Sequence, residues 1–289
     1  MLRRILWIIP MMGALFAGCG GGDAADPIDG LVTSADGTPI HYLVQGTGSP
    51  TLVFVHGWSC DGTYWKAQLD HFAPTHRVVA VDLAGHGDSG QAREDYTIEA
   101  FGGDVAAVLE ELDIHDAVLV GHSMGGGVVV EAALAAPDRV KGLVGIDNFH
   151  EVSFDLPEAQ IEGFLNAFRN DFRGTCVPWV MSMFPAGADS SLARAVAEDM
   201  ASAPPAVAIS AMHNLLQWYG ATAPQRLPLL RCPLMCINSD NQPTDEAGLK
   251  DAVPGYQVRY MPGRGHFLMK EDPQEFNRLL SETVAAMLP

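Results

Sequence analysis

The chain has 289 residues, 48% of them hydrophobic and 18% charged, with 30 Gly and 19 Pro. That profile supports a sizeable core and excludes a disordered or fibrous protein. Lys and Arg number 17 against 35 Asp and Glu, a formal charge of −18, which repels phosphate backbones and excludes nucleic-acid binding as a main activity.

The chain opens with Arg3 and Arg4, then an apolar run broken by Pro10 that is too short to span a bilayer. A basic start, a short apolar stretch and small residues before a cut site read as a secretory signal over 1–18. Leu15-Phe16-Ala17-Gly18-Cys19 resembles the lipobox of bacterial lipoproteins, with Phe16 where that pattern has Leu. The resemblance implies a lipid on Cys19 and a membrane partner. With Gly20 rather than Asp next, it implies an outer-membrane place in the cell envelope. Residues 19–28 are rich in Gly, Ala and Asp and read as a flexible tether.

From residue 28 onward, strands and helices alternate. Strands are expected at 28–34 and 40–45, joined by the hairpin signal Asp36-Gly37. Apolar runs at 51–55, 77–81, 117–120, 140–146 and 234–237 suit parallel strands covered on both faces, and 256–261 adds a last strand. Helical patterns fall at 62–71, 97–112, 124–136, 245–252 and 273–287. The alternation predicts an α/β fold with a mostly parallel sheet of eight strands. Residues 149–231 break it. They hold four helix-like segments, at 157–172, 177–184, 190–201 and 205–219, rich in Met, Phe and Trp. They predict a helical cap over a core made of 29–148 and 232–289.

Four cysteines follow Cys19. Cys232 and Cys236 flank an expected strand, which holds them ~13 Å apart, too far to bond each other. Cys60 and Cys176 meet only if the loop after Trp58 touches the insertion. No Cys/His spacing matches a zinc site, so no metal is expected.

Gly121-His122-Ser123-Met124-Gly125 stands between an expected strand and helix. It fits G-x-S-x-G, a turn so sharp that its neighbours must be Gly and its Ser hydroxyl stands clear. Ser123 is the candidate nucleophile. A serine hydroxyl needs a base, and the chain offers ten histidines. His56 and His86 lie in loop motifs, and His122 lies inside the turn. His41, His71, His76 and His115 lie at surfaces or helix ends, and His150 and His213 in the cap. Only His266 follows the last strand in a Gly-flanked loop, where it can swing to the nucleophile.

The chain resembles the serine-type α/β-hydrolases from about residue 31 to 285. His56-Gly57-Trp58, Asp82-Leu83-Ala84-Gly85-His86-Gly87-Asp88-Ser89, the Ser123 turn and Gly263-Arg264-Gly265-His266-Phe267 follow that family's order. The resemblance implies an α/β-hydrolase fold with the cap inserted after strand 6. It also implies an oxyanion hole from the backbone amides of Trp58 and Met124.

The triad order Ser, acid, His places the acid between 123 and 266. Relatives usually take it from the loop after the seventh strand, here Asn238-Ser239-Asp240-Asn241-Gln242-Pro243-Thr244-Asp245. The usual Gly-x-x-Asp would put it at 241, which is Asn. Asp240 is the nearest carboxylate and the expected acid. Asp147, at the end of the sixth strand, is the alternative, and Asp245 follows as a helix N-cap.

The expected activity is a serine hydrolase, a carboxylesterase by default, acting on a small-molecule acyl substrate without metal or organic cofactor. Lactonase, thioesterase, C–C hydrolase and acyltransferase chemistry remain open. So does a slow ligand-binding protein on the same fold.

Overall fold

The computed structural model describes residues 27–154 and 156–288. The expected signal over 1–18, Cys19 and most of the tether lie outside the described residues.

Eight strands form one sheet in the order β1-β2-β4-β3-β5-β6-β7-β8. They are β1 Ile28–Thr33, β2 Pro39–Gln45, β3 Thr51–Val55, β4 Val78–Val81, β5 Ala117–His122, β6 Val140–Ile146, β7 Leu234–Ser239 and β8 Gln257–Met261. Only β2 runs against its neighbours. The rest pair in parallel. Every residue of β3, β4, β5 and β7 is buried, as fully covered parallel strands require.

The core helices are α1 Lys66–Phe72, α2 Ile98–Glu111 and α3 Met124–Ala135. The cap supplies α4 Glu158–Asn170, α5 Phe172–Met181, α6 Ser190–Met200, α7 Pro205–Gln217 and α8 Ala223–Arg226. α9 Glu246–Ala252, α10 Leu268–Glu271 and α11 Pro273–Met287 complete the chain. Helix α2 packs on α3 and α1 on α11, and the two pairs cover the sheet. The mostly parallel eight-stranded sheet and the helical insertion between β6 and β7 are as the sequence predicts.

The cap differs from expectation in detail. One helix over 157–172 is instead broken at Asp171, whose extended backbone (φ −151°) ends α4 and whose side chain accepts from the Gly174 amide to start α5. α7 continues through a π-helical turn, Trp218–Thr222, into α8. Trp218 donates to the buried Glu131 carboxylate of α3 at 2.8 Å, fastening this turn to the core. Cys60, Cys176, Cys232 and Cys236 are all free thiols, so Cys60 and Cys176 are not bridged.

The parallel strands end at one rim, roofed by the cap. Ser123, Asp147 and the loop carrying His266 all lie there, just past β5, β6 and β8.

Candidate active site

Ser123 sits between β5 and α3 with φ 52° and ψ −117°. That left-handed backbone costs a non-glycine residue ~1–3 kcal/mol and marks a functional turn. The turn is possible because the residues two before and two after Ser123, Gly121 and Gly125, carry no side chain. A Cβ on Gly125 would lie 2.6 Å from the Val55 carbonyl oxygen. The loop after β3 also presses in, since a Cβ on Gly57 would lie 3.3 Å from the Ser123 Cβ. Trp58 and Met124 thereby flank the nucleophile from two sides.

His266 is held by its backbone. Its amide donates to the Met183 carbonyl of the cap at 3.1 Å. Its carbonyl accepts from His122 Nε2 at 2.8 Å. Burial, and then the charge of His266, push His122 down to about 3. His122 is therefore held neutral and props the His266 loop through that hydrogen bond. Glu271 clamps the same loop: its carboxylate accepts from the amides of Gly265 at 2.9 Å and Phe267 at 3.1 Å. No local motif marks Glu271 in the sequence.

The carboxylate facing His266 is Asp147. Its Oδ2 accepts from His266 Nδ1 at 2.6 Å, and its Oδ1 accepts from the Ser239 amide at 2.7 Å. Burial pushes the Asp147 carboxyl up, but the His266 hydrogen bond and charge, with the Ser239 amide, hold it well below the ordinary carboxylate range. His150 stands behind it, Nε2 at 3.8 Å from Oδ1, with its own pKa lowered by burial. Asp240, the expected acid, is elsewhere: its Oδ1 accepts from the exposed Gly263 amide at 2.8 Å. Asp245 caps α9 by accepting from Gly248.

The reason lies in the strand ends. Asp147 has φ 47°, a left-handed turn that swings its side chain back over the sheet edge. Asn148 and Asn238 lock that turn: Asn238 Nδ2 donates to the Asn148 carbonyl at 3.0 Å, and Asn148 Nδ2 donates to the Gly121 carbonyl at 2.9 Å. The expected Gly-x-x-Asp spacing is not kept here, with Asn at 238 and Asn, not Asp, at 241.

Ser123, Asp147 and His266 line one cavity of about 710 Å³, walled by Trp58, Trp179, Met183, Phe184 and Met212. The Trp58 indole donates to the Ala208 carbonyl of α7 at 2.6 Å, tying this loop to the cap. Among the described residues, two clusters outside the cavity bring potential metal ligands within 4.8 Å of one another: His41, Asp82 and Asp88, and Glu158, Glu162 and His213. Several of their groups are already engaged, with His41 bonded to Asp82 and Asp29, Glu162 to Arg169 and Glu158 to Gln217.

A family model described as the alpha/beta hydrolase family matches residues 52–279. The dihydrolipoyllysine-residue acetyltransferase component of the acetoin cleaving system from Cupriavidus necator is 31% identical over 86% of this chain and 67% of that protein. A non-heme chloroperoxidase from Streptomyces lividans is 43% identical over 38% of this chain, a stretch spanning 41% of its own length. The solved structure of an N-acyl homoserine lactone degrading enzyme superposes with a TM-score of 0.73 at 29% identity, covering 86% of this chain and 98% of that one.

These findings correct the expected membrane partner and envelope location. Among the described residues no helix is long and apolar enough to cross a membrane. The longest, α11, has 15 residues against the ~20 a span requires. The matched structure aligns over nearly its whole length as a hydrolase domain. The membrane, lipoprotein and cell-envelope expectations attached to Cys19 are withdrawn.

Proposed function

The chain belongs to the alpha/beta hydrolase family and is a hydrolase acting on acyl or ester-type bonds, and from that premise we propose that Ser123, His266 and Asp147 form its catalytic triad. The observation that carries the assignment is the 2.6 Å hydrogen bond between His266 Nδ1 and Asp147 Oδ2 beside the strained Ser123 turn.

The chemistry follows from these positions. Asp147, ionised and buried, fixes the tautomer with the proton on Nδ1. That leaves the His266 Nε2 lone pair free to take the Ser123 proton. Ser123 Oγ attacks the carbonyl carbon, and the carbonyl oxygen gains the negative charge. The backbone amides of Trp58 and Met124 are assigned to that charge. They come from two elements held rigidly against the nucleophile, as preorganised donors must be. The C–O bond then breaks, and His266 passes its proton to the departing alkoxide. Water enters, His266 takes a proton from it, the resulting hydroxide attacks the acyl carbon, and His266 returns that proton to Ser123 Oγ as the acyl–serine C–O bond breaks. The products are a carboxylic acid and an alcohol. A carboxylic ester is the default substrate because this sequence needs no group beyond the residues named.

The test is labelling with a fluorophosphonate and turnover of p-nitrophenyl acetate by the wild type and Ser123→Ala. Labelling and turnover that both vanish in the variant support the assignment. Undiminished activity in Ser123→Ala overturns it.

A further inference from the structure

The space around Ser123 is divided unequally. The 710 Å³ chamber lies on one side. On the other is a pocket of about 180 Å³, a quarter of that volume. Ser123, Asp147, Phe154, Leu215, Leu216 and Gln242 line both, so the nucleophile stands at their junction. His266 and Trp58 line the chamber and not the small pocket. Met124, Phe149, His150 and Tyr219 line the small pocket and not the chamber.

This asymmetry fixes which half of a substrate goes where. The imidazole that takes the serine proton must hand it to the leaving oxygen, so the alcohol half has to lie on the side that His266 faces. The acyl half stays on Ser123 and has to lie on the other side. We propose that the preferred substrates are short-chain acyl esters, acetyl to butyryl, of bulky apolar alcohols, with the alcohol in the chamber and the acyl group in the small pocket. The inference rests on the catalytic roles assigned above and adds the substrate class.

The linings agree with it. The chamber offers the large apolar surfaces of Trp58, Trp179, Phe184, Met200, Met212 and Phe267, the kind of wall that selects by apolar area. Phe149 and Tyr219 form one wall of the small pocket, their rings 5.8 Å apart and both buried. Among the described residues neither space is lined by Lys or Arg, and Glu151 lines the small one. Neither half of the substrate is therefore expected to be anionic.

A pair of constitutional isomers tests the assignment. Naphthylmethyl acetate and methyl naphthylacetate carry the same ring and an alkoxide leaving group, but the ring is on the alcohol in one and on the acyl group in the other. The wild-type enzyme is expected to favour naphthylmethyl acetate by about tenfold or more in kcat/KM, the scale on which apolar pockets discriminate. Equal rates, or a preference for methyl naphthylacetate, overturn the proposal. A series of naphthylmethyl esters of rising acyl length supplies a second readout. Its rate should fall beyond butyrate, and Tyr219→Ala should move that limit to longer chains. A limit that stays put in a folded Tyr219→Ala also counts against the assignment, and the isomer comparison stands whether or not that variant folds. Fluorophosphonate labelling of Ser123 is measured alongside. A labelled enzyme without isomer preference overturns the pocket assignment alone, whereas an unlabelled one overturns the catalytic reading beneath it.

Discussion

The Asp147 carboxylate accepts the Nδ1–H of His266 at 2.6 Å across 119 positions of the chain. In the proposed triad this contact joins two strand-end loops into one proton-handling unit, and most of what can be tested about the site depends on it.

Asp147→Asn is expected to keep the fold and lower kcat by about 10⁴-fold, the scale seen when a triad acid loses its charge and the imidazole takes the wrong tautomer. Asp240→Asn is expected to leave kcat/KM close to wild type, because the Asn oxygen still accepts from Gly263. Steady-state kinetics on the two variants check this, and the reverse ranking would restore Asp240 as the acid. The sign of the Asp147 shift adds a pH expectation. Its folded pKa is depressed below the ordinary 3.8, so its charge is present above that value and is lost only as pH falls further. A loss of activity between pH 7 and about 4 is therefore not expected to come from protonation of Asp147.

Glu271 is expected to matter although it touches no reacting atom. Its carboxylate accepts from the amides on either side of His266. Glu271→Ala leaves those donors without their partner, a cost of ~1–3 kcal/mol in stability where no water replaces it. Freed of the clamp, the imidazole is held less well, so kcat should fall while KM changes little. Glu271→Gln keeps one acceptor and should recover most of the loss. A stability loss in Glu271→Ala with kcat unchanged would reduce Glu271 to a structural tie.

The site was unevenly legible in the sequence. The Ser123 turn could be read because its glycines are forced by backbone contacts that any such turn makes. The His266 loop could be read because it follows the last strand. The acid could not be settled because β6 and β7 are neighbours, with Ile146 opposite Ile237. Both Asp147 and Asp240 therefore leave the sheet at the same rim. What separates them is a left-handed residue and the Asn148–Asn238 interlock, neither of which has a period or a motif. His122 acts through the backbone of a residue 144 positions away, and Glu271 through amides four and six residues before it; neither contact has a motif or a period that pattern could show. The cap was legible as helical from its composition, but not its break at Asp171, which depends on one side chain turning to cap the next helix.

Trp58→Phe should loosen the cap without emptying its core. The indole donates to the Ala208 carbonyl at 2.6 Å, while its ring packs on Phe168 and Trp179 with centroids 5.7 and 5.5 Å away. Phenylalanine keeps most of the packing and loses the hydrogen bond, worth ~0.5–1.5 kcal/mol. Tm is expected to fall by a few degrees and KM for bulky esters to rise, with kcat for p-nitrophenyl acetate nearly unchanged. If kcat for the small ester collapses instead, the indole is positioning the oxyanion loop rather than latching the cap.

His41 gives a stability switch remote from the chemistry. Its Nε2 faces Asp29 Oδ1 at 2.6 Å and its Nδ1 faces Asp82 Oδ2 at 2.8 Å. Both nitrogens can donate only in the imidazolium form. Burial lowers the pKa of His41, but the two carboxylates outweigh it and leave it above the ordinary 6.5. A group with a raised folded pKa contributes stability that is fully present below its unfolded pKa and is lost as pH rises through the folded one. The bridge ties β1, through Asp29, to the loop after β4, through Asp82, whose carboxylate also accepts from the amides of Gly62 at 2.6 Å and Asp88 at 3.0 Å. His41→Gln should therefore lower Tm most below about pH 6.5 and progressively less at higher pH. Thermal melts of both proteins across that range decide the matter. A gap in Tm that is constant with pH would mean that the imidazolium contributes nothing and that His41 acts by shape alone.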